Sequence, residues 1–236
     1  MNAVSDVSGS SARAGLIGLA GEVALCDRRG ALYLPDLQML VVSDLHLEKG
    51  SSAARRGRLL PPYDTAATLN LLAAVIDTYK PRTVLSLGDS FHDGGGAGRM
   101  PAPYREQLLQ LMLGRDWIWV AGNHDPDAPA DLPGTIADEI AVGRLRFRHE
   151  PMAGAEAGEV AGHLHPGAMV VHRGKAIRRR CFATDGERLI MPAFGAFTGS
   201  LNVLDRAYSE LFRWNSFIAH LLGETRTYAI ARHRLR

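Results

Sequence analysis

The stretch Gln38-Met39-Leu40-Val41-Val42-Ser43-Asp44-Leu45-His46 changes character at a single point. Residues 38–43 form a short apolar, β-branched run of the kind that makes a strand covered on both faces. Asp44 and His46 follow, two polar side chains spaced i and i+2 where the strand gives way to a loop. The same change recurs twice downstream. The apolar run 83–87 ends in Gly88-Asp89, and the run 117–121 ends in Gly122-Asn123-His124-Asp125. Between these runs the periodicity turns helical. Residues 64–79 place Leu69, Leu72, Ala73 and Ile76 on one face, with Asp64 expected as N-cap, and residues 103–113 carry Tyr104, Leu108, Leu111 and Met112 at helical spacing. A strand–helix–strand–helix–strand order predicts a parallel sheet, and such sheets bind ligands at the carboxyl ends of their strands. The three polar tips should therefore meet on one rim.

Upstream, residues 22–26 and 31–34, joined by Asp27-Arg28-Arg29-Gly30, read as a β-hairpin. Residues 1–13, rich in Ser and Gly and without periodicity, read as a disordered leader. Beyond residue 125 short strands take over, at 136–142, 145–149, 160–161, 168–172, 177–184 and 188–191. Helices are expected again at 206–212 and 215–222, with a last strand at 227–232. The prediction is an α/β fold of two sheets packed together with helices outside, a single domain over residues 14–236.

Composition narrows the function classes. With 236 residues, 46% hydrophobic and 22% charged, the chain buries enough surface to need no disulfide or structural metal as a staple. Its two cysteines, Cys26 and Cys181, lie far apart, which argues against a secreted disulfide scaffold and a zinc ribbon. No apolar run approaches the roughly 18 residues of a membrane span, and the run at 16–20 is too short for a signal peptide. A soluble, cytoplasmic protein is expected. Of the 27 basic residues only Lys49, Lys80 and Lys175 are lysine. The arginine excess fits either phosphate recognition or codon bias. His46, His92, His124, His149, His163 and His165, out of nine histidines, fall in one stretch of the chain.

Asp-x-His or Gly-Asp alone is a weak signal. Gly-Asn-His-Asp is stronger, expected by chance on the order of once in a thousand chains of this size. His149 ends a predicted strand, and Gly162-His163-Leu164-His165 offers two imidazoles at i and i+2, with Gly162 letting the backbone approach closely. This ordered set resembles the calcineurin-like binuclear metallophosphoesterases, whose blocks stand here as DLH at 44–46, GDSFHD at 88–93, GNHD at 122–125, His149, and GHLH at 162–165. The resemblance implies a four-layer αββα sandwich of two mixed β-sheets with two metals at its rim. One metal would take Asp44, His46, Asp89 and His165; the other would take Asp89, Asn123, His149 and His163, with Asp89 bridging. Mixed oxygen and imidazole ligands suit Mn²⁺, Fe²⁺, Zn²⁺ or Ni²⁺, and Mn²⁺ is the first expectation. By the same resemblance, a hydroxide between the metals would attack phosphorus in line, with His124 stabilising the transition state or protonating the leaving oxygen.

One block departs from the pattern. Its second Asp usually stands three residues after the first and orients the histidine of the third block. Here His92 holds that position and Asp93 comes one later. Either Asp93 takes the role in a shifted loop, or His92 lines the site and the dyad is absent.

Two further stretches bear on the substrate. Leu47–Gly57 with 60–65, and Met191-Pro192-Ala193-Phe194-Gly195-Ala196-Phe197-Thr198-Gly199, are similar to the bacterial ligase-associated DNA-damage-response metallophosphoesterases (the PdeM type). Those are endonucleases encoded beside a DNA ligase, a helicase and an exonuclease, which implies DNA as substrate and such partners. Arg55 and Arg56, on an expected Gly/Ser loop beside the first block, are candidate phosphate-binding residues or simply solvated. His92 is a further substrate-side candidate. Arg173, Lys175, Arg178, Arg179 and Arg180 form a basic run that either tracks a nucleic-acid backbone or faces solvent. Phe194 and Phe197 are expected in the core, with base-stacking platforms as the alternative. The leading reading is a Mn²⁺-dependent DNA phosphodiesterase in DNA repair. The competitors are a phosphodiesterase or phosphomonoesterase for a small nucleotide or lipid precursor, and a metal-bound scaffold in a repair complex.

Overall fold

The computed structural model describes residues 14–58, 60, 63–126 and 131–236. The expected leader at 1–13 lies outside the described residues. Strands β1 (Ala14–Leu19), β2 (Glu22–Asp27), β3 (Leu32–Leu34), β4 (Met39–Val42), β5 (Thr83–Leu87), β6 (Asp116–Val120) and β7 (Thr135–Ala137) form one sheet in sequence order. Its first half is an antiparallel meander. From β4 to β7 the strands are parallel, with Val41 beside Leu85 and Leu85 beside Ile118. That register sets the ends of β4, β5 and β6 level, so the three polar tips emerge together.

Helices α1 (Lys49–Arg55), α2 (Asp64–Tyr79), α3 (Gly96–Arg99) and α4 (Ala102–Met112) follow β4 and β5. The apolar run of β4 is nearly continuous because both its faces are covered. Leu40 and Val42 pack with Leu69, Leu72 and Ile76 of α2, whereas Met39 and Val41 pack towards the second sheet with Phe147, Val160 and Phe182.

The second sheet comprises β8 (Glu139–Val142), β9 (Leu145–Arg148), β10 (Glu159–Ala161), β11 (Pro166–His172), β12 (Lys175–Thr184), β13 (Leu189–Ile190), β14 (Leu201–Asn202), β15 (Ile218–Leu222) and β16 (Thr227–Ala231). Their order is β14-β11-β12-β13-β10-β9-β8, with β15 on β12 and β16 on β15. The two sheets face each other across a shared apolar layer, as the sandwich expectation required. The outer face of the second sheet buries Cys181, Ile190, Tyr208, Phe212 and Phe217.

Five local expectations need correction. Residues 215–222 are not a helix: Ile218–Leu222 is the central strand between β12 and β16. A five-residue apolar run has no length to separate buried helix from buried strand. The helix expected at 206–212 is only a 3₁₀ turn, Arg206–Tyr208, capped by Asp205. The strand expected at 136–142 is two, for the chain leaves the first sheet after Ala137 and enters the second at Glu139. Asp64 is the first helical residue rather than the N-cap, and its Oδ2 accepts from the Gly50 N–H at 3.0 Å. That bond helps make the expected Gly/Ser loop at 49–55 a helix. Among the described residues, no helix is long and apolar enough to cross a membrane.

Candidate metal centre

The tips of β4 and β5 stay joined after the strands end. Asp44 N–H donates to Gly88 O (3.2 Å), His46 N–H to Asp89 O (2.9 Å) and Leu47 N–H to Ser90 O (2.9 Å). From the second sheet, Gly162 N–H donates to His149 O (2.9 Å), which sets the fourth and fifth blocks side by side. Phe194 and Gly195 N–H groups close the floor on Ser43 O and Asp44 O, at 2.8 and 3.1 Å. To reach one another, Asp44, His46, Asp89, His163 and His165 all adopt left-handed backbone, with φ of 54°, 44°, 47°, 65° and 46°. Five such residues in one cluster hold strain of the kind that persists at functional sites.

Three block glycines each make room for another block's ligand. A Cβ on Gly88 would lie 2.2 Å from His149 Nδ1, on Gly122 2.3 Å from Asp89 Oδ1, and on Gly162 1.9 Å from Ser43 Oγ and 2.7 Å from Asp44 Oδ2.

The candidate ligands gather in two groups that share Asp89. In the first, His165 Nε2 lies 3.1 Å from Asp44 Oδ1 and 3.3 Å from His46 Nε2, and Asp89 Oδ2 lies 3.8 Å from His46 Nε2. In the second, His149 Nε2 lies 3.4 Å from Asp89 Oδ1 and 3.0 Å from Asn123 Oδ1, which is 2.9 Å from His163 Nδ1. His149 Nδ1 faces the Leu87 carbonyl at 3.1 Å, leaving Nε2 to point into the group. All seven predicted ligands are therefore together, and the two oxygens of Asp89 face different groups.

Chemistry favours cations at both points. Asp44 is fully buried; Oδ2 accepts from Ser43 Oγ (2.6 Å) and His163 N–H (3.2 Å), but Oδ1 has no hydrogen-bond donor. An unpartnered carboxylate oxygen facing imidazoles is a ligand position, because leaving it bare costs its full desolvation. Burial opposes a charge on His149, yet the hydrogen bond to Asp89 and the fields of Asp44 and Asp89 raise it to about 9. Burial likewise works against Asp89, whose carboxyl the His149 bond and charge hold at about 2. Burial pushes His46 down to about 3, so its ring is neutral and free to ligate.

His124 stands beside these groups on the open side. Its N–H donates to Asp89 Oδ1 (2.9 Å), its Nδ1 meets the His92 carbonyl (3.0 Å), and its Nε2 lies 4.0 Å from Asp89 Oδ2. The His92 ring stacks on His124 (centroids 5.3 Å apart) and meets His46 edge-on. Asp93 is turned away. Its two oxygens take Arg99 Nη1 and Nη2 at 2.7 and 2.9 Å, and the Arg99 bonds hold its carboxyl well below the usual range. The group on His124 Nδ1 is thus a backbone carbonyl from the odd position of the second block.

Arg55 and Arg56 are exposed at the end of α1. The basic run of β12 divides: Arg180 donates to Ala193 O (2.7 Å) and Gly195 O (3.3 Å), Arg178 bonds Ser200 O, and Arg179 is exposed. Two of these arginines thus brace the segment that floors the site. Phe194 is buried in the core as expected, but Phe197 is 59% exposed.

Asp125 was legible only as the last letter of its block. It is buried, its Oδ2 accepts from Phe91 N–H at 2.9 Å, and burial with the nearby Asp89 charge raises it to about 7. It ties the third block to the loop that carries His92. Glu48, buried and at φ 65°, does a similar job for α1 through Thr65 Oγ1 at 3.0 Å.

The calcineurin-like phosphoesterase family model matches residues 37–187, which include every candidate ligand. Among solved structures, the nuclease MPE of Pseudomonas putida is similar at 25% identity and a TM-score of 0.70, covering 92% of this chain and 100% of that one. Yfce, a phosphoesterase from E. coli, is similar at 17% identity and a TM-score of 0.42, covering 82% of this chain and 98% of that one. No curated protein sequence matches the chain. With the family model spanning more than half of its length and the blocks gathered at one rim, the chain belongs to the calcineurin-like phosphoesterase family and is a metal-dependent phosphoesterase.

Proposed function

We propose that the protein is a binuclear, Mn²⁺-dependent phosphodiesterase that cleaves DNA. The observation that carries this reading is the pair of ligand groups sharing Asp89, one of Asp44, His46 and His165, the other of Asn123, His149 and His163. Bound there, two divalent ions would supply charge to the oxygens of a phosphodiester and would lower the pKa of water enough for it to attack near neutral pH. The protein's own groups do the rest. The His92 carbonyl accepts from His124 Nδ1–H and fixes the ring, so Nε2 is free to face the phosphate. When the ring is the doubly protonated imidazolium, Nε2 gives its proton to the departing oxygen and leaves the ring neutral. Asp93 belongs to the Arg99 clamp rather than to the chemistry.

The choice of DNA rests on two supports. The nuclease of P. putida is similar along its whole length. The centre also opens on the surface, with the His124 side chain 42% exposed and Arg55 and Arg56 exposed on the neighbouring helix, where they can hold flanking phosphates. On the resemblance to the ligase-associated group, we place the enzyme in cytoplasmic DNA repair beside a ligase, a helicase and an exonuclease.

The test is one panel with Mn²⁺: an aryl phosphodiester, an aryl phosphomonoester, a 2′,3′-cyclic nucleotide, supercoiled plasmid and single-stranded DNA. The proposal expects the aryl diester and at least one of the DNA substrates to be cleaved, with rates that fall steeply as salt is added. Diester hydrolysis without DNA cleavage would replace it with a small-molecule phosphodiesterase. A metal-loaded protein inert on the whole panel would leave a scaffold.

A further inference from the structure

We propose that Phe197 is a stacking platform for a nucleobase next to the scissile phosphate, an inference that rests on the nucleic-acid reading above. Three observations meet at this residue. It is a large aromatic side chain left 59% exposed, while Phe194, three residues earlier in the same segment, is fully buried. Its backbone is left-handed, φ 59°, a conformation unfavourable for a bulky residue. Burial of the ring does not offset that strain, so folding alone gives no account of a phenylalanine here. The segment is nonetheless held firmly. Ala196 N–H donates to Thr68 Oγ1 (2.9 Å), Thr198 Oγ1 donates to Gly195 O (2.8 Å), and Lys49 Nζ donates to the carbonyl of Phe197 itself (3.1 Å). The ring is thus presented from a fixed base.

Its setting suits a base. Gly195, two residues away, donates its N–H to the carbonyl of the ligand Asp44, which ties the segment that carries the ring to the first block. Phe197 lines a small cleft with Lys49, Gly50, Asp64 and the exposed Leu60. Lys49 opens α1, and exposed Arg55 closes it, with Arg56 following. An aromatic face beside cations that can hold the neighbouring phosphates is the arrangement by which proteins grip an unpaired base without reading its sequence.

The experiment compares the Mn²⁺-loaded parent and variants on pentathymidylate, on the same backbone carrying abasic tetrahydrofuran residues, and on bis(4-nitrophenyl) phosphate as a check on the metal chemistry. For the parent, removing the bases should raise KM roughly 5- to 150-fold. Phe197→Ala should raise KM for pentathymidylate over the same range, and far less for the abasic oligomer. Phe197→Trp should retain the parent's preference. Phe197→Gly, which relieves the left-handed strain, should lose the preference while melting at a higher temperature than Phe197→Ala. An unchanged KM for Phe197→Ala, or equal losses on both oligomers, overturns the platform and leaves the nuclease reading intact. Hydrolysis of the aryl diester with neither oligomer cleaved overturns the platform, and if supercoiled plasmid is left uncut as well the nuclease reading falls with it.

Discussion

Gly162 joins the fifth block to the first, and Gly162→Ala tests how tightly the site is built. A Cβ at this position would lie 1.9 Å from Ser43 Oγ, 2.7 Å from Asp44 Oδ2 and 3.3 Å from Leu87 O. The obstruction is steric rather than conformational. Ser43 Oγ is itself fixed, donating to Asp44 Oδ2 at 2.6 Å, so it must swing more than an ångström and break a bond to a buried carboxylate. Overpacking of this kind costs about 1–3 kcal/mol. Losing a hydrogen bond to a charged group adds about 1.5–3 kcal/mol. For a domain of this size, the sum lowers the melting temperature of the metal-free protein by roughly 5–24 °C. Displacing Asp44 should also weaken Mn²⁺ binding, read by calorimetric titration. The double variant Ser43→Ala/Gly162→Ala removes the closest atom and should recover part of the stability, a coupling that a double-mutant cycle measures. A Gly162→Ala protein melting within about 2 °C of the parent and binding Mn²⁺ equally well would refute the close packing of these two blocks.

Further outcomes follow from the charges. His149 is raised to about 9, so the stability it contributes to the metal-free protein is full below about pH 6.5 and is lost as the pH rises through about 9. Asp89 is held at about 2, so its share is present above about pH 3.8 and is lost as the pH falls through about 2. The metal-free melting temperature should therefore fall from pH 6.5 to 9, and Mn²⁺ should stabilise more at pH 8.5 than at pH 6, because the ion displaces the His149 proton. A metal effect independent of pH would contradict this. Asp93→Asn should give a pH–rate profile matching the parent, since His124 Nδ1 rests on the His92 carbonyl and not on Asp93. A displaced limb in that profile would return Asp93 to the dyad. Arg55→Ala/Arg56→Ala should weaken DNA binding evenly across sequences and shallow its salt dependence by about one to two units of log–log slope, measured by fluorescence anisotropy. An unchanged slope would make both side chains simply solvated.

What the sequence showed plainly was whatever depends on a run and its end. Buried parallel strands are apolar throughout, so Asp44, Asp89 and Asn123 stood out as abrupt polar stops, and register brought them level. Features that depend on a distant partner were hidden. The chain changes sheets at Asp138, and only the acidic pair Asp138-Glu139, with no Gly or Pro beside it, marks the change. Residues 49–55 have poor helix formers in Gly50, Ser51 and Ser52, and they form a helix because Asp64 receives the Gly50 N–H and Thr65 anchors Glu48. The β1 strand is hidden in the sequence because Gly15 and Gly18 interrupt its short run. Within the site, residue identity revealed the ligands but not the second layer. Nothing local says that Asp93 turns to Arg99, that Arg180 braces Gly195, or that Asp125 holds Phe91. Phe197 is the reverse case, an aromatic residue that reads as core and faces solvent.

The central claim is a shared carboxylate between two cations. The direct measurement is metal content per chain, after Mn²⁺ loading and desalting, for the parent and Asp89→Asn, with aryl diester hydrolysis followed in parallel. The account predicts about two ions per parent chain, and loss of both ions and activity in the variant, because Asp89 serves both groups. A variant that keeps two ions and full hydrolysis, or a parent that is active with none, would contradict it.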